Sequence, residues 1–151
     1  MRRTGESIDV GSEDPIRVVL AEDHAEFRLG LKEMLATDGD IEVVGEAENG
    51  ARAVALAREL RPDVVVLDLA MPVMEGREAL GLILRDVSPP PGIVILTMHD
   101  QPHLRRELMS KGARAFLAKS ASLAEVIGAV KGSRPMRTPG EGGSGEAPPA
   151  S

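Results

Sequence analysis

The feature that most constrains the fold is the alternation of short apolar segments with segments of helical periodicity. The segments at 16–20, 63–67 and 93–96 are rich in valine, isoleucine and leucine and have the length of buried strands. Between them, apolar residues recur at helical spacing, as at Phe27 and Leu31. Strands that alternate with helices predict a parallel sheet covered by helices on both faces.

Two further segments complete a set of five predicted strands and indicate their order. Residues 41–47 are half polar, with Glu42 and Glu46, and residues 114–118 are the last predicted strand. Wholly apolar strands suit the centre of a parallel sheet, whereas a half-polar strand suits an edge. Because crossovers are right-handed, the expected strand order is 2-1-3-4-5. The predicted fold is therefore α/β, a flavodoxin-like (βα)5 doubly wound parallel five-stranded sheet.

Polar residues with known capping chemistry mark where the predicted helices begin. Asn49 and Asp100 are placed to cap the second and fourth helices, and Ser122 with Glu125 forms a capping-box pair for the last one. Gly76 is expected to supply a tight turn into the third helix. These start points agree with the strand assignments.

The two ends of the chain differ in composition from the middle. Residues 1–14 are polar and lack periodicity, and residues 131–151 are rich in Gly, Pro and Ser. Such segments bury little apolar surface and are expected to be disordered. The predicted domain therefore covers residues 15–130, flanked by an N-terminal extension and a tail or linker.

Charge and composition exclude several classes of function. The net charge of −6 disfavours nucleic-acid binding, so we expect no DNA contact from this chain itself. The absence of cysteine excludes disulfides and thiol catalysis. The apolar runs of the chain are far shorter than the ~20 residues that are needed to cross a bilayer. We therefore expect no membrane contact and a cytoplasmic location. The three histidines are interpreted as surface residues rather than as a metal site.

Polar side chains follow the predicted strands at the edge where parallel sheets bind ligands. Glu22 and Asp23 follow the first strand, Asp68 the third, Thr97 the fourth and Lys119 the fifth. Neighbouring carboxylates need a counter-ion, and Mg²⁺ is held by one or two carboxylates together with phosphate oxygens. A carboxylate, a metal, an ammonium and a hydroxyl form a site suited to phosphoryl transfer, in which a carboxylate can be the nucleophile.

Four segments together resemble the receiver domain of two-component response regulators, most closely the nitrate-response (NarL/FixJ) subfamily. The resemblance covers about residues 15–130. The segments are RVVLAEDH at 17–24, PDVVVLDLAMPVMEG at 62–76, ILTMH at 95–99 and GARAFLAK at 112–119.

The resemblance implies a role for each polar residue at the strand ends. Asp68 would be the phosphoacceptor and, with Asp23 and the backbone carbonyl of Ala70, a ligand of Mg²⁺ or, as an alternative ion, Mn²⁺. Glu22 would act through a metal-bound water. Lys119 would pair first with Asp68 and then with the phosphoryl oxygens.

The resemblance also implies a conformational switch and a set of partners. Thr97 would turn to bind the phosphoryl group, and Phe116 would follow it inward. The donor would be a sensor histidine kinase, and phosphorylation could drive formation of a homodimer. The chain would be a signalling phosphoacceptor in transcription regulation that assists its own phosphotransfer and dephosphorylation, not an enzyme with a separate substrate.

The output is left open by the sequence. The subfamily usually continues into a helix-turn-helix DNA-binding domain, which is missing here after the linker-like residues 131–151. A stand-alone receiver, a natural truncation and a shortened piece are all consistent with this.

Three other functions compete with the phosphoacceptor. An aspartyl phosphatase of the haloacid-dehalogenase type needs a second Asp two residues after the nucleophile, where this chain has Ala70. A pseudo-receiver is disfavoured by the presence of Asp23, Asp68 and Lys119. A nucleotide or flavin binder is disfavoured because no GxxxxGK[ST] or GxGxxG motif is present and aromatic residues are scarce.

Overall fold

A computed structural model describes residues 14–98 and 100–135 of the chain. Most of the predicted N-terminal extension, the tail from residue 136 and His99 lie outside these described residues. Strands and helices alternate as predicted. They are β1 (Ile16–Ala21), α1 (Ala25–Ala36), β2 (Ile41–Ala47), α2 (Gly50–Leu60), β3 (Val64–Leu67), α3 (Gly76–Asp86), β4 (Gly92–Thr97), α4 (Pro102–Ser110), β5 (Ala115–Ala118) and α5 (Leu123–Ser133).

The five strands form one parallel sheet in the order β2-β1-β3-β4-β5, which confirms the predicted flavodoxin-like topology. Every residue of β3 and β4 is buried, whereas the edge strand β2 is mostly half-buried and exposes Glu42. The central strands are buried because helices cover both of their faces, so only apolar side chains fit there, as the sequence indicated.

Two apolar clusters hold the helices against the two faces of the sheet. One face packs against α1 and α5, through residues such as Leu35 and Val130. The other face packs against α2, α3 and α4, through residues such as Val54, Leu80 and Leu108. Burial of each such side chain contributes about 1.5–3 kcal/mol. The two-sided core fixes the sheet as a rigid platform whose carboxyl edge carries the site.

Two helix boundaries differ from the sequence-based prediction. Asp100 does not cap α4, whose N-cap is Gln101, because Asp100 instead forms an ion pair with Arg105 at 3.1 Å. The helix α5 runs to Ser133, three residues beyond the predicted domain end at 130. Ser133 is 2% exposed and lies so close to Gly92 that a Cβ at Gly92 would be 1.9 Å from its carbonyl oxygen. This tertiary contact outweighs the low helix propensity of Gly132 at the end of the helix.

The other predicted caps are confirmed. The Asn49 side chain accepts a hydrogen bond from the Arg52 N–H at 2.8 Å. Ser122 and Glu125 form the reciprocal capping box at the start of α5. Among the residues that the structure describes, none of the helices has the length and apolar character needed to cross a membrane.

Candidate functional site

The site lies where the sheet ends, at the carboxyl termini of its strands. Glu22 directly follows β1, Asp68 follows β3 and Lys119 follows β5, while Thr97 is the last residue of β4. The register aligns these ends, since Ala21 pairs with Leu67 and Thr97 pairs with Ala118. The sheet therefore brings the predicted residues to one edge without help from any distant loop.

The Lys119 ammonium bridges two carboxylates at the centre of the site. Its Nζ lies 2.7 Å from Glu22 Oε1 and 3.0 Å from Asp68 Oδ2. Both carboxylates are 4% exposed and the lysine side chain is 11% exposed. Two nearly buried acids thus share one cation, which leaves the group with an excess negative charge.

The shared cation affects the two carboxylates differently. Burial raises the pKa of Asp68, as does the nearby Glu22 charge, and the hydrogen bond from Lys119 offsets these effects only in part. Burial also acts on Glu22, but hydrogen bonds from Lys119 and from the His24 backbone outweigh it and lower the pKa of Glu22. Although burial opposes it, pairing with the two carboxylates raises the pKa of Lys119. Of the two acids, Asp68 is the less stabilised in its ionised form.

Asp23 contributes a carboxylate oxygen that is unsatisfied. Its Oδ1 is buried and, within the part of the chain that the structure describes, accepts no hydrogen bond. A buried oxygen of this kind normally has a partner, because leaving it without one costs about 1–3 kcal/mol. Asp23 belongs to a compact group with Glu22 and His24, whose potential ligand atoms lie within 4.8 Å of one another. An oxygen-rich group with an orphaned acceptor fits a hard divalent cation such as Mg²⁺.

The loop after β3 brings its backbone close to Asp68. The Ala70 N–H donates to Asp68 Oδ1 at 3.3 Å, and the Gly76 N–H donates to the Leu69 carbonyl at 2.9 Å. A Cβ on Gly76 would lie 2.1 Å from the Asp68 carbonyl oxygen. Gly76 is therefore required for this close approach where the chain turns into α3, the position at which the sequence predicted a tight turn.

Thr97 and Phe116 occupy buried positions on neighbouring strands. Thr97 has no exposed surface, and its carbonyl accepts a hydrogen bond from the Lys119 N–H at 2.9 Å. Phe116 is 2% exposed on β5, where Arg105 of α4 donates to its carbonyl at 2.9 Å and lies 5.0 Å from its ring centroid. The structure thus places Thr97 next to Lys119 at the end of the sheet, and Phe116 in the apolar cluster under α4.

Sequence reasoning missed three residues around the site, all between the end of β1 and the first turn of α1. His24 is exposed, as the sequence indicated, but it donates its backbone N–H to Glu22 Oε2 at 2.9 Å and has its ring Nδ1 3.1 Å from the same oxygen. Phe27 places its ring 4.8 Å from Lys119 Nζ. Arg28 donates to the Glu22 carbonyl at 2.6 Å. No local sequence pattern indicates these contacts, because they depend on how α1 is oriented relative to the end of β1.

Comparison with known proteins identifies the family. The family model described as the response regulator receiver domain matches residues 18–131. The chain is 40% identical over 116 residues to the transcriptional regulatory protein LiaR of Bacillus subtilis, covering 77% of this chain and 54% of LiaR. It is 37% identical over 116 residues to the response regulator GacA of Pseudomonas aeruginosa, with 77% and 54% covered. The chain thus spans about half the length of these curated relatives.

A solved structure agrees with these matches. The signal receiver domain of the response regulator NarL from Mycobacterium tuberculosis superposes with a TM-score of 0.74 at 33% identity, covering 80% of this chain and 96% of that one. The four residues of the carboxyl-edge cluster, Glu22, Asp68, Thr97 and Lys119, all fall within the residues that the family model matches. The chain belongs to the response regulator receiver domain family.

Proposed function

We propose that this domain accepts a phosphoryl group on Asp68 from a sensor histidine kinase, with Mg²⁺ bound beside it. The observation that carries the proposal is the nearly buried Asp68 carboxylate, joined to Glu22 through Lys119 at the end of the central strand. Membership of the receiver family supports the same assignment. A domain of this kind is a signalling phosphoacceptor that assists its own modification, not an enzyme with a separate substrate.

Asp68 is the best nucleophile among the acids at this edge. Burial raises the pKa of Asp68, so its carboxylate is more basic than that of Glu22, whose pKa is lowered overall despite its burial. Glu22 is also held by hydrogen bonds from Lys119 and His24 on its two oxygens. The more basic of two similarly buried carboxylates is the more reactive one.

The residues that would hold the metal are Asp23, Asp68 and the backbone carbonyl of Ala70, with Glu22 acting through a bound water. The unsatisfied Oδ1 of Asp23 supports this set. Mg²⁺, or Mn²⁺ as the alternative ion, would supply positive charge to the phosphoryl oxygens and to the crowded carboxylates.

The transfer itself exchanges one bond to phosphorus for another. One carboxylate oxygen of Asp68 attacks the phosphorus of phosphohistidine, the N–P bond breaks, and an acyl phosphate forms. The electron pair of the broken bond returns to the imidazole, which takes a proton from solvent. Lys119 exchanges its contact with Asp68 for one with a phosphoryl oxygen, so its charge stays in the site.

Phosphorylation would change the conformation through Thr97 and Phe116. The added group carries about −1.5 to −2 charges and three strong acceptor oxygens. These phosphoryl oxygens need a hydrogen-bond donor, and the hydroxyl of Thr97 at the end of β4 would provide it. Movement of Thr97 changes the space beside Phe116 and thereby the packing of α4 against β5.

Partners and output follow from the same proposal. The phosphoryl donor would be a sensor histidine kinase. Phosphorylation would lead to formation of a homodimer, and the domain would act in the cytoplasm. This chain itself would make no DNA contact, in line with its net charge of −6. The relative LiaR is named a transcriptional regulatory protein, which supports a role upstream of transcription.

Intact-mass measurement after incubation with acetyl phosphate tests the proposal. We expect a Mg²⁺-dependent gain of one phosphoryl group in the wild type and none in Asp68→Asn, with Asp86→Asn as a control for loss of a carboxylate far from the site. Phosphorylated histidine kinases provide a second donor. Absence of the gain with both donors, or an undiminished gain in Asp68→Asn, would contradict the proposal.

A further inference from the structure

The two aromatic residues of the chain each lie against a cation. Phe116 contacts Arg105, and Phe27 lies on α1 with its ring centroid 4.8 Å from the Lys119 ammonium nitrogen. The Phe27 contact is the more unusual of the two, because Lys119 is nearly buried and joins the two carboxylates of the site. No motif in the sequence pointed to this contact.

The ring completes the surroundings of the Lys119 ammonium. An ammonium group has three N–H donors, and two acceptors are provided by Glu22 at 2.7 Å and Asp68 at 3.0 Å. The negative face of an aromatic ring attracts a cation and cannot be replaced in this respect by an aliphatic side chain. Phe27 therefore supplies a third favourable contact while keeping water from that side.

The position of the ring is fixed by its own helix. The neighbouring residue Arg28 donates to the Glu22 carbonyl at 2.6 Å and to Glu46 Oε1 at 3.1 Å. These bonds tie the first turn of α1 to the ends of β1 and β2. Phe27 also packs against the apolar cluster between α1 and the sheet, so the ring is held from both sides.

We propose that Phe27 is a positioning residue that fixes the Lys119 ammonium between Glu22 and Asp68. The proposal rests on the function proposed above, in which Lys119 must meet the incoming phosphoryl oxygens. Lysine has a flexible four-carbon stem, so its ammonium is placed only as well as its surroundings place it. Phe27 thereby affects the reaction through Lys119, without contacting the phosphoryl group.

Three variants separate this role from simple core packing. Phe27→Leu keeps an apolar side chain but removes the ring, whereas Phe27→Tyr keeps the ring. Leu35→Val is the control for a loss of packing, since Leu35 is fully buried on the same helix, two turns further from the site. Thermal melts of all three variants check that they remain folded.

The first readout is the NMR signal of the Lys119 ε-methylene protons in the protein without phosphate donor. A ring above the ammonium shifts these protons upfield through its ring current. We expect this shift in the wild type, Phe27→Tyr and Leu35→Val, and its loss in Phe27→Leu. The shift reports that the ring lies over the ammonium, so its absence in the wild type would overturn the contact, and the rates below test whether the contact positions Lys119.

The second readout is the rate of phosphorylation by acetyl phosphate at saturating Mg²⁺. We expect Phe27→Leu to be about three- to tenfold slower than the wild type, the range of a partly desolvated cation–π contact. Phe27→Tyr and Leu35→Val should stay within about twofold of the wild type.

The possible failures are distinguishable. A wild type that shows the ring-current shift but takes no phosphoryl group would contradict the proposed function, and with it the part of this proposal that concerns transfer. A phosphorylated wild type in which Phe27→Leu keeps the full rate would overturn the role of Phe27 alone. Equal slowing in Phe27→Leu and Leu35→Val would overturn it as well, because packing would then account for the effect.

Discussion

Asp68 and Glu22 share the same lysine but should affect stability in opposite directions. The pKa of Asp68 is raised above its ordinary 3.8 because burial disfavours the charge, so ionised Asp68 weakens the folded state at neutral pH. Despite its burial, hydrogen bonds lower the pKa of Glu22 below its ordinary 4.5, so ionised Glu22 strengthens the folded state. We expect Asp68→Asn to raise and Glu22→Gln to lower the free energy of unfolding, each by about 1 kcal/mol.

Urea unfolding of the two variants as a function of pH checks both signs. The gain from Asp68→Asn should shrink as the pH falls to 3.8 and below, where the wild-type carboxyl is neutral in both states. The loss from Glu22→Gln should shrink as the pH falls from 4.5 through the lowered pKa. A destabilised Asp68→Asn at neutral pH would show that its bond with Lys119 outweighs the burial of its charge.

The limits of sequence reasoning at the residue scale follow from side-chain direction. Glu22, Asp68 and Lys119 were predictable because each ends a strand, and the ends of parallel strands meet at one edge. Phe27 and His24 were not, because their contacts depend on the angle at which α1 leaves β1. That angle is set by bonds such as the one from Arg28 to the Glu22 carbonyl, which no local pattern encodes.

The helix α4 is the shortest of the five helices in the described part of the chain. It is 9 residues long, its N-cap side chain makes no capping bond, and two of its residues, Leu104 and Leu108, are buried. Arg105 compensates by joining Asp100, the Phe116 carbonyl and the face of the Phe116 ring. We infer that this one side chain holds α4 against β5.

Replacement of Arg105 should therefore loosen α4 without unfolding the domain. In Arg105→Ala we expect the backbone amides of α4 to exchange with deuterium several-fold faster than in the wild type. The variant lacks a charge-assisted hydrogen bond and a cation–π contact, so local opening of α4 requires less free energy. Arg106→Ala, a change at the exposed neighbouring position, is the control. Hydrogen exchange read by mass spectrometry provides the measurement, and equal rates in Arg105→Ala and Arg106→Ala would contradict the inference.

At the element scale, the sequence predicted where elements lie better than where they end. Alternation and apolar content were sufficient for the five strands and their order, since these depend on burial of whole segments. The end of α5 at Ser133 was not predictable, because it depends on the close approach of Ser133 to Gly92. Asp100 was misassigned as a cap because its side chain has a stronger partner in Arg105.

At the scale of the whole molecule, carboxylates paired with basic side chains connect elements on several sides of the sheet. Lys131 of α5 contacts Asp38 and Asp40 before β2, and Arg58 of α2 contacts Asp86 at the end of α3. Hydrogen bonds, from the Asp40 backbone N–H and from Lys131 in the case of Asp38 and chiefly from basic side chains in the other cases, lower the pKa of several carboxyls. These are Glu22, Asp38, Glu46, Asp86 and Glu107. A carboxyl with a lowered pKa stabilises the fold when ionised, so this contribution is lost in acid.

The domain should accordingly lose stability in acid, and Asp86 offers a test at a distance from the site. Hydrogen bonds from Arg85 and Arg58 lower the pKa of Asp86 from 3.8 to about 2. The contribution of ionised Asp86 to stability is present above pH 3.8 and disappears as the pH falls toward 2. Between these pH values the urea midpoint of Asp86→Asn should therefore decrease less than that of the wild type. Urea midpoints measured at successive pH values give the two curves, with Glu42→Gln on the edge strand as the control for one lost charge. Parallel curves for Asp86→Asn and the wild type would mean that the α2–α3 ion pair adds nothing to stability, as for many exposed pairs.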